Sequence, residues 1–251
     1  MKKGITSTFT AFIYLLLLIP NVGVGQSNAD STGLTKKNKA HIYKHYAIPV
    51  TFIGLGVYGT VNNGIINRDE VKEERNEYFS SFSNHADNYL QYAPIALVYA
   101  LDAFGLKGKH NWQQQTAFFG TAELIMTGIV LPVKKYSHIL RPDSSAYNSF
   151  PSGHTAQAFL AATFFQKEFG AKYPWLSAGM FTVATGIGAF RVLNNRHWVS
   201  DVLAGAGVGI LSAELSYALL KNKVRHRKGL PSVVLPGYDK GRIICTAIYN
   251  L

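Results

Sequence analysis

Long apolar segments constrain the fold of this chain more than any other feature. Six of them follow one another, and none shows the sustained alternation of apolar and polar residues that marks a half-buried strand. The segments are Tyr46–Asn62, Tyr89–Phe104, Thr116–Val133, Thr155–Phe169, Trp175–Phe190 and Val199–Leu220. Because they are too long for typical strands, we predict six helices and an all-α fold, a bundle of about six helices.

The composition indicates that this bundle is embedded in a membrane. Charged residues make up 16% of the chain, against about 25% in typical soluble domains. Glycine and alanine recur in the apolar segments, which suits close helix packing in a bilayer. A helix needs about 20 mostly apolar residues to span the bilayer. The third and sixth segments approach that length, whereas the second, fourth and fifth are short enough to be buried core helices instead.

The two ends of the chain differ from its middle. Residues 1–25 have a basic start, an apolar core and small residues near Gly25, the layout of a secretory signal peptide, with an uncleaved anchor helix as the alternative. We therefore divide the chain into a signal peptide (1–25), a polar lead-in (26–45), a helical domain (46–228) and a tail (229–251). In the tail, two short runs of strand-forming residues flank Pro236–Gly241 and predict a β-hairpin. Within the domain, the polar link Asn67–Ala86 predicts a solvated helix followed by a loop.

The charge and the cysteine count exclude several classes of function. The formal net charge is +11, but the basic residues form no nucleic-acid-binding motif, so we expect no nucleic-acid partner. An anionic lipid or a phosphorylated substrate remains. Cys245 is the only cysteine, which rules out an internal disulfide and a cysteine-based zinc site.

Three short polar clusters lie at the ends of the predicted helices. Lys134–Pro142 follows the third helix, Pro151–His154 begins the fourth, and Arg191–Asp201 joins the fifth to the sixth. If the helices run antiparallel, all three clusters meet at one end of the bundle.

The side chains of these clusters complement one another around a phosphate group. Arginines bind phosphate oxygens through forked donors, and a helix N-terminus favours an anion. The candidate phosphate ligands are Lys134, Arg141, Ser152, Gly153 and Arg191. His197 and Asp201 are four residues apart, so on a helix the carboxylate can hold one imidazole nitrogen and direct the other at the site. With His154 as a separate acid, this arrangement suits phosphoryl transfer through a covalent phosphohistidine.

These motifs resemble those of the type 2 phosphatidic acid phosphatase family, which shares its site with vanadium haloperoxidases and bacterial class A acid phosphatases. The resemblance rests on three motifs. In Lys134–Pro142, a lysine is followed after six residues by Arg-Pro, and Pro151–His154 reads Pro-Ser-Gly-His. In Arg191–Asp201, an arginine is followed after five residues by a histidine and after three more by an aspartate. It implies a helical core and a reaction that uses neither a metal nor a cofactor.

The resemblance also implies a role for each catalytic residue. His197 would attack phosphorus while His154 protonates the leaving oxygen, and His154 would then activate the water that hydrolyses the phosphohistidine. Asp201 would orient His197, and the five candidate ligands would bind the phosphoryl oxygens and stabilise the transition state.

Two features depart from the family pattern. Phe190 occupies the position before Arg191 where the family commonly has a serine, so we expect one phosphate donor to be missing. The loop between the first two clusters has only eight residues, 143–150, which is shorter than usual. We expect it to tighten over the site and restrict the substrate.

The expected function is removal of phosphate from a lipid in the cell membrane of a bacterium, with the active site facing the periplasm. Candidate substrates are phosphatidate-like lipids, phosphatidylglycerol phosphate, isoprenyl pyrophosphate and lipid A phosphates. Three alternatives remain: a soluble periplasmic acid phosphatase of broad specificity, a vanadium haloperoxidase, and a membrane scaffold without activity. The sequence leaves the lipid and the oligomeric state open.

Overall fold

A computed structural model describes the backbone of residues 34–62, 67–226, 233–239 and 242–248, and the side chains within 45–62 and 67–220. The predicted signal peptide (1–25) lies outside these described residues. Eight helices occur in the described part of the chain. They are α1 (Leu34–Val61), α2 (Arg68–Tyr78), α3 (Asp87–Leu90), α4 (Ala93–Ala103), α5 (Trp112–Ser137), α6 (Gly153–Phe169), α7 (Pro174–Leu193) and α8 (Val199–His226).

All six predicted apolar segments are helical, as α1 and α4 to α8, which confirms the all-α fold. The polar link Asn67–Ala86 contains helix α2, as predicted. Helix α1 begins at Leu34, before the predicted segment Tyr46–Asn62, and so extends into the predicted polar lead-in. Lysine and alanine recur after Leu34, and no proline interrupts them before Pro49. Both residue types favour a helix without being part of an apolar run.

Three helices in the described part of the chain are long and apolar enough to cross a membrane: α5, α7 and α8 as far as Leu220. We expected this length for the apolar segments in α5 and α8. Helix α7 is longer than the predicted segment Trp175–Phe190, since it runs from Pro174 to Leu193. Pro174 is tolerated there because an amide hydrogen in the first turn has no partner within the helix in any case.

Helix α6 forms the centre of the bundle. Its residues from Thr155 to Phe165 are all buried, and it packs against α4, α5 and α7. A helix that is covered on every side is a core element. The fourth apolar segment is therefore the buried core helix that its short length allowed.

Helix α8 approaches the backbone of α6 closely because glycines lie at the contact. A Cβ atom at Gly205 would lie 2.5 Å from the carbonyl oxygen of Ser152, and one at Gly209 would overlap the carbonyl oxygen of Ala156. Small residues four apart allow two helices to approach in this way. The contact fixes the first turn of α6 relative to α8.

An ionic group joins three helices near the other end of α6. Lys167 Nζ, in the last turn of α6, lies 2.6 Å from Glu214 Oε2 on α8. Glu214 Oε1 lies 3.2 Å from His45 Nδ1 on α1. Because Glu214 is buried, separating it from these partners would leave an unpaired charge in the protein interior. The group therefore opposes sliding of α8 along α6.

The end of α8 and the tail belong to a second compact unit. The tail contains two strands, β1 (Val233–Asp239) and β2 (Arg242–Ile248). They pair antiparallel, with Pro236 opposite Cys245. The predicted hairpin is therefore present. Its strand pairing extends into Pro236–Gly241, the segment predicted to form the turn.

Candidate active site

His197 and Asp201 form a buried pair where α8 begins. His197 Nδ1 lies 3.4 Å from Asp201 Oδ2, and both side chains are buried. The contact has the length of an ion pair, but its geometry falls short of a hydrogen bond. With Nδ1 on the side of the carboxylate, Nε2 on the far side of the ring is the nitrogen available for chemistry.

Asp201 is held in place by hydrogen bonds from three other residues. Its Oδ2 accepts from the backbone amide of Trp198 at 2.9 Å and from the hydroxyl of Ser149. Its carbonyl oxygen accepts from the amide of Ser152 at 2.9 Å. The Trp198 contact is one half of a capping box for α8, so a single carboxylate caps the helix and faces His197. The Ser152 contact joins the second cluster to the third.

Lys134 and Arg141 reach the same loop residue, Asn148. Lys134 Nζ donates to the carbonyl oxygen of Asn148 at 2.8 Å, and Arg141 Nε donates to its Oδ1 at 2.9 Å. Gly153 lies beside Lys134, since a Cβ atom at Gly153 would be 3.8 Å from Lys134 Cε. The first cluster is thus brought to the start of α6.

The hydroxyl of Ser152 is already engaged in the helix start. Ser152 is the N-cap of α6: its Oγ accepts from the amide of Thr155 at 3.4 Å and lies 2.8 Å from Thr155 Oγ1. Its predicted role as a phosphate donor therefore competes with helix capping. The amides of Gly153 and His154, in the first turn, have no acceptor within the helix and are available to an anion.

Arg191 is held by a carboxylate that the sequence analysis missed. Arg191 Nη1 lies 2.7 Å from Asp87 Oδ2, and both side chains are buried. Asp87 is the first residue of the one-turn helix α3. In the sequence, Asp87 stands out only as an acidic residue just before the second apolar segment. No regular spacing relates it to the three polar clusters that follow.

Replacing Asp87 with asparagine is expected to lower kcat/KM for phosphate release by about 30-fold or more, because the variant leaves the buried Arg191 charge uncompensated. The matched control is Asp143→Asn. Asp143 pairs with Arg196 at 3.0 Å in a more exposed position, where an ion pair contributes little. Steady-state kinetics on both variants checks the prediction, and equal losses would contradict it.

Phe190 contributes packing at the position of the family's serine. Its ring lies 5.8 Å from that of Phe82, measured between centroids. Beside it, the amide of Asn84 donates to Asn194 Oδ1 at 3.0 Å, and Asn194 Nδ2 donates to the carbonyl oxygen of Asn84 at 2.6 Å. These contacts fasten the segment before α3 to the end of α7. Phe190 therefore stabilises the segment that carries Asp87.

The eight-residue loop 143–150 is tied to its surroundings near both ends. The amide of Asp143 donates to the carbonyl oxygen of Asn195 at 3.1 Å, and the amide of Ser149 donates to that of Ile139 at 3.0 Å. The middle of the loop, including Ser144 and Tyr147, is largely exposed. The loop thus has fixed ends and an exposed tip.

Both histidines have lowered pKa values. Burial lowers the pKa of His197 to about 4; Asp201 opposes this shift, whereas Lys134 and Arg191 add to it. Burial, and after it the charge of Arg191, lowers the pKa of His154 to about 4. Both imidazoles are therefore neutral near pH 7, as a nitrogen nucleophile must be.

These shifts predict that the folded protein loses stability as the pH falls from about 6.5 to about 4. Between these pH values the unfolded chain binds more protons than the folded chain, so the free energy of unfolding decreases as the pH falls. Below about pH 4 both states are protonated, and the free energy of unfolding stops decreasing from this cause. His197 alone accounts for on the order of 3 kcal/mol. Thermal unfolding in detergent across this range should give a shallower pH dependence for His197→Asn. Gly186→Ala, which changes no titratable group, should keep the wild-type slope, and the same slope in both variants would contradict the assignment.

Comparison with known proteins relates the chain to phosphatases. A family model described as the PAP2 superfamily matches residues 106–225, which confirms the resemblance seen in the three clusters. The lipid A 1-phosphatase of Porphyromonas gingivalis is 43% identical over 150 residues, covering 59% of this chain and 34% of that protein. The chain thus spans about a third of the length of this curated relative.

Two crystal structures show weaker similarity. LpxE from Aquifex aeolicus is 24% identical, with a TM-score of 0.45 over 58% of this chain and 93% of its own. A transmembrane PAP2-type phosphatidylglycerolphosphate phosphatase from Bacillus subtilis is 22% identical, with a TM-score of 0.39 over 90% of this chain and 100% of its own.

Proposed function

Since a model of the PAP2 superfamily matches residues 106–225 of this chain, we propose that the protein is a phosphatase that removes a phosphate group from a phosphorylated lipid. One observation carries the proposal: the His197–Asp201 pair, His154 and the cations of the three clusters converge where α6 begins. All three clusters lie within the matched residues.

In the first step, His197 Nε2 attacks phosphorus while the bond from phosphorus to the lipid oxygen breaks. His154, protonated in the complex with the anionic substrate, gives its proton to that oxygen. Asp201 favours the tautomer with the proton on Nδ1 of His197, which leaves the lone pair on Nε2. Lys134, Arg141 and Arg191 stabilise the charge on the phosphoryl oxygens.

In the second step, water displaces His197 from phosphorus. His154, now neutral, takes a proton from the water while the bond between phosphorus and Nε2 breaks. Inorganic phosphate leaves, and His197 returns to its neutral state. The lowered pKa of His154 supports this step, because it favours the neutral imidazole, the form that can accept a proton from water.

We further propose that the reaction needs no metal ion. In the part of the chain that the structure describes, no three His, Cys, Asp or Glu side chains are grouped as metal ligands. The charge that a metal would supply comes instead from arginine and lysine. Phosphate release is therefore expected to be unchanged, within about twofold, after treatment with EDTA. A loss of activity that added Mg²⁺ or Zn²⁺ restores would contradict this.

The lipid substrate and the location are also proposals. The P. gingivalis relative is a lipid A 1-phosphatase, so the 1-phosphate of lipid A is the first candidate. Three helices with the length and composition of membrane spans support a site at a membrane surface, and the N-terminal sequence supports one that faces the periplasm.

Phosphate release from a panel of substrates in detergent tests the proposal. The panel contains lipid A, phosphatidylglycerol phosphate, isoprenyl pyrophosphate, phosphatidate and, as a soluble ester, glucose 1-phosphate, with the His197→Ala protein as the blank. Release from at least one lipid, absent from the blank, is the expected result. Release from the soluble ester alone, together with extraction of the protein by osmotic shock without detergent, would favour the soluble acid phosphatase instead.

A further inference from the structure

The imidazole of His154 contacts a residue from a part of the chain that lies before the family match. His154 Nε2 lies 2.8 Å from Oδ1 of Asn88, in helix α3, whereas the PAP2 match begins at residue 106. We propose that Asn88 is a positioning residue for His154. Its amide oxygen accepts a hydrogen bond from the N–H group at Nε2, which leaves Nδ1 as the nitrogen that exchanges a proton with the substrate. This inference rests on the proposed function, because it assigns Asn88 to the acid and base of that reaction.

Asn88 is well placed to orient an imidazole because its own backbone is fixed. Its amide donates to the carbonyl oxygen of His85 at 3.2 Å, and its carbonyl oxygen accepts from Gln91 Nε2 at 2.8 Å. The preceding residue, Asp87, is paired with Arg191 at 2.7 Å. Adjacent residues of α3 thus hold one phosphate-binding cation and the acid, which fixes these two groups relative to each other.

The contact with Asn88 provides an acceptor for the protonated state of His154. An imidazolium carries a proton on both ring nitrogens, and when one of them is directed at the leaving oxygen, the other can donate to a partner on the protein. The amide oxygen of Asn88 supplies that partner. Since this contact favours Nε2 as the nitrogen that keeps its proton, it also selects Nδ1 as the nitrogen that becomes the base in the second step.

A neutral acceptor suits a histidine that must gain and lose a proton in one cycle. The charged and titratable groups that face His154 come from several elements: Arg191 on α7, Asp87 on α3, Lys134 on α5 and His197 before α8. Among them only Asp87 favours the protonated form, and it is already paired with Arg191. A carboxylate in place of the Asn88 amide would hold the proton on His154 more strongly and slow the second step.

The test compares Asn88→Asp and Asn88→Ala with matched substitutions of Asn76. Asn76 is exposed on α2, where its Oδ1 contacts Arg75 at 3.0 Å. The readout is the rate of phosphoenzyme formation in a single turnover as a function of pH. That rate falls on the alkaline side as His154 loses its proton. Asn88→Asp should raise the pH at which the rate falls on the alkaline side (the alkaline limb) by about 1 unit. The pH at which the rate falls on the acidic side (the acidic limb) should not change.

Asn88→Ala should lower the single-turnover rate about 10-fold through misplacement of the imidazole, with KM changed less than about threefold. The Asn76 variants should behave as the wild type. A purely structural role for Asn88 would lower the rate of both variants and move neither limb, and that result would overturn the proposal. If the alanine variant does not fold, Asn88→Asp, which has nearly the same shape, still decides the question.

A second measurement separates this inference from the proposed function. The pKa of the His154 imidazole can be followed by NMR in histidine-labelled protein, with its signal assigned through His154→Gln. Asn88→Asp should raise that pKa by about 1 unit, whereas Asn76→Asp should not. If the wild type releases no phosphate from any substrate, the proposed function fails, and the NMR titration still tests the contact. If the wild type is active, and Asn88→Asp changes neither the alkaline limb nor the pKa of His154, only the positioning role of Asn88 is refuted.

Discussion

Replacing His197 with alanine is expected to reduce phosphate release by about 10⁴-fold or more, because the variant lacks the imidazole that we propose forms the bond to phosphorus. The cations that we propose as phosphate ligands would remain and should still bind the substrate. The loss should therefore appear in kcat, with KM changed much less. Steady-state kinetics in detergent on the best lipid of the panel measures both constants.

The covalent intermediate gives a sharper version of this test. Wild-type protein mixed with ³²P-labelled substrate and quenched should carry an acid-labile, base-stable phosphoenzyme, and His197→Ala should carry none. His154→Ala is the informative comparison, since it lacks the acid and base but keeps the nucleophile. With a substrate that has a good leaving group, it should accumulate the phosphoenzyme and release phosphate about 10²- to 10⁴-fold more slowly. A labelled His197→Ala protein would overturn the assignment of the nucleophile.

Replacing Gly209 with alanine is expected to destabilise the protein by about 3 kcal/mol, the upper part of the range for overpacked cores. The added methyl group would overlap the carbonyl oxygen of Ala156. The obstacle is backbone in the centre of the bundle, so no side chain can move aside to relieve it. Helix α8 would have to shift away from α6, and thermal unfolding in detergent measures the loss.

Gly186→Ala is the matched control for this prediction. Gly186 also lies within a long helix, but a Cβ atom there would meet nothing within 4 Å. Alanine has the higher helix propensity, so this variant should be stabilised by about 0.5–1 kcal/mol. Equal stability of the two variants would show that the contact between α8 and α6 is looser than the structure indicates.

The fold could be predicted from the sequence because its signals are local. The six apolar segments show their helical character through length and the lack of alternation, without reference to the rest of the chain. The beginning of α1 at Leu34 was missed because helix propensity, unlike apolar character, gives only a weak signal in a polar segment. The length of α7 was underestimated for a related reason, since its last turn contains Arg191 and ends beyond the apolar run.

The candidate site could be inferred from the sequence only where its residues lie in short motifs. The separation of His197 from Asp201 is a helix turn, and this spacing can be seen in the sequence. Asp87 contacts Arg191 and Asn88 contacts His154 across long stretches of chain. No periodicity relates residues so far apart, and only the packing of α3 beside α6 and α7 brings them together.

The loop 143–150 sets a boundary for redesign of the protein. Toward its end, Asn148 holds both Lys134 and Arg141, and Ser149 donates to Asp201. Among the described residues, 144–147 contact the predicted site only through the backbone: the amide of Ser144 donates to the carbonyl oxygen of Arg141 at 2.9 Å, and the amide of Arg141 donates to that of Ala146 at 3.0 Å. Grafting a different tetrapeptide that keeps this turn at 144–147 is therefore expected to change the surface that an incoming headgroup meets, whereas a graft that extends to Asn148 or Ser149 replaces part of the proposed catalytic site.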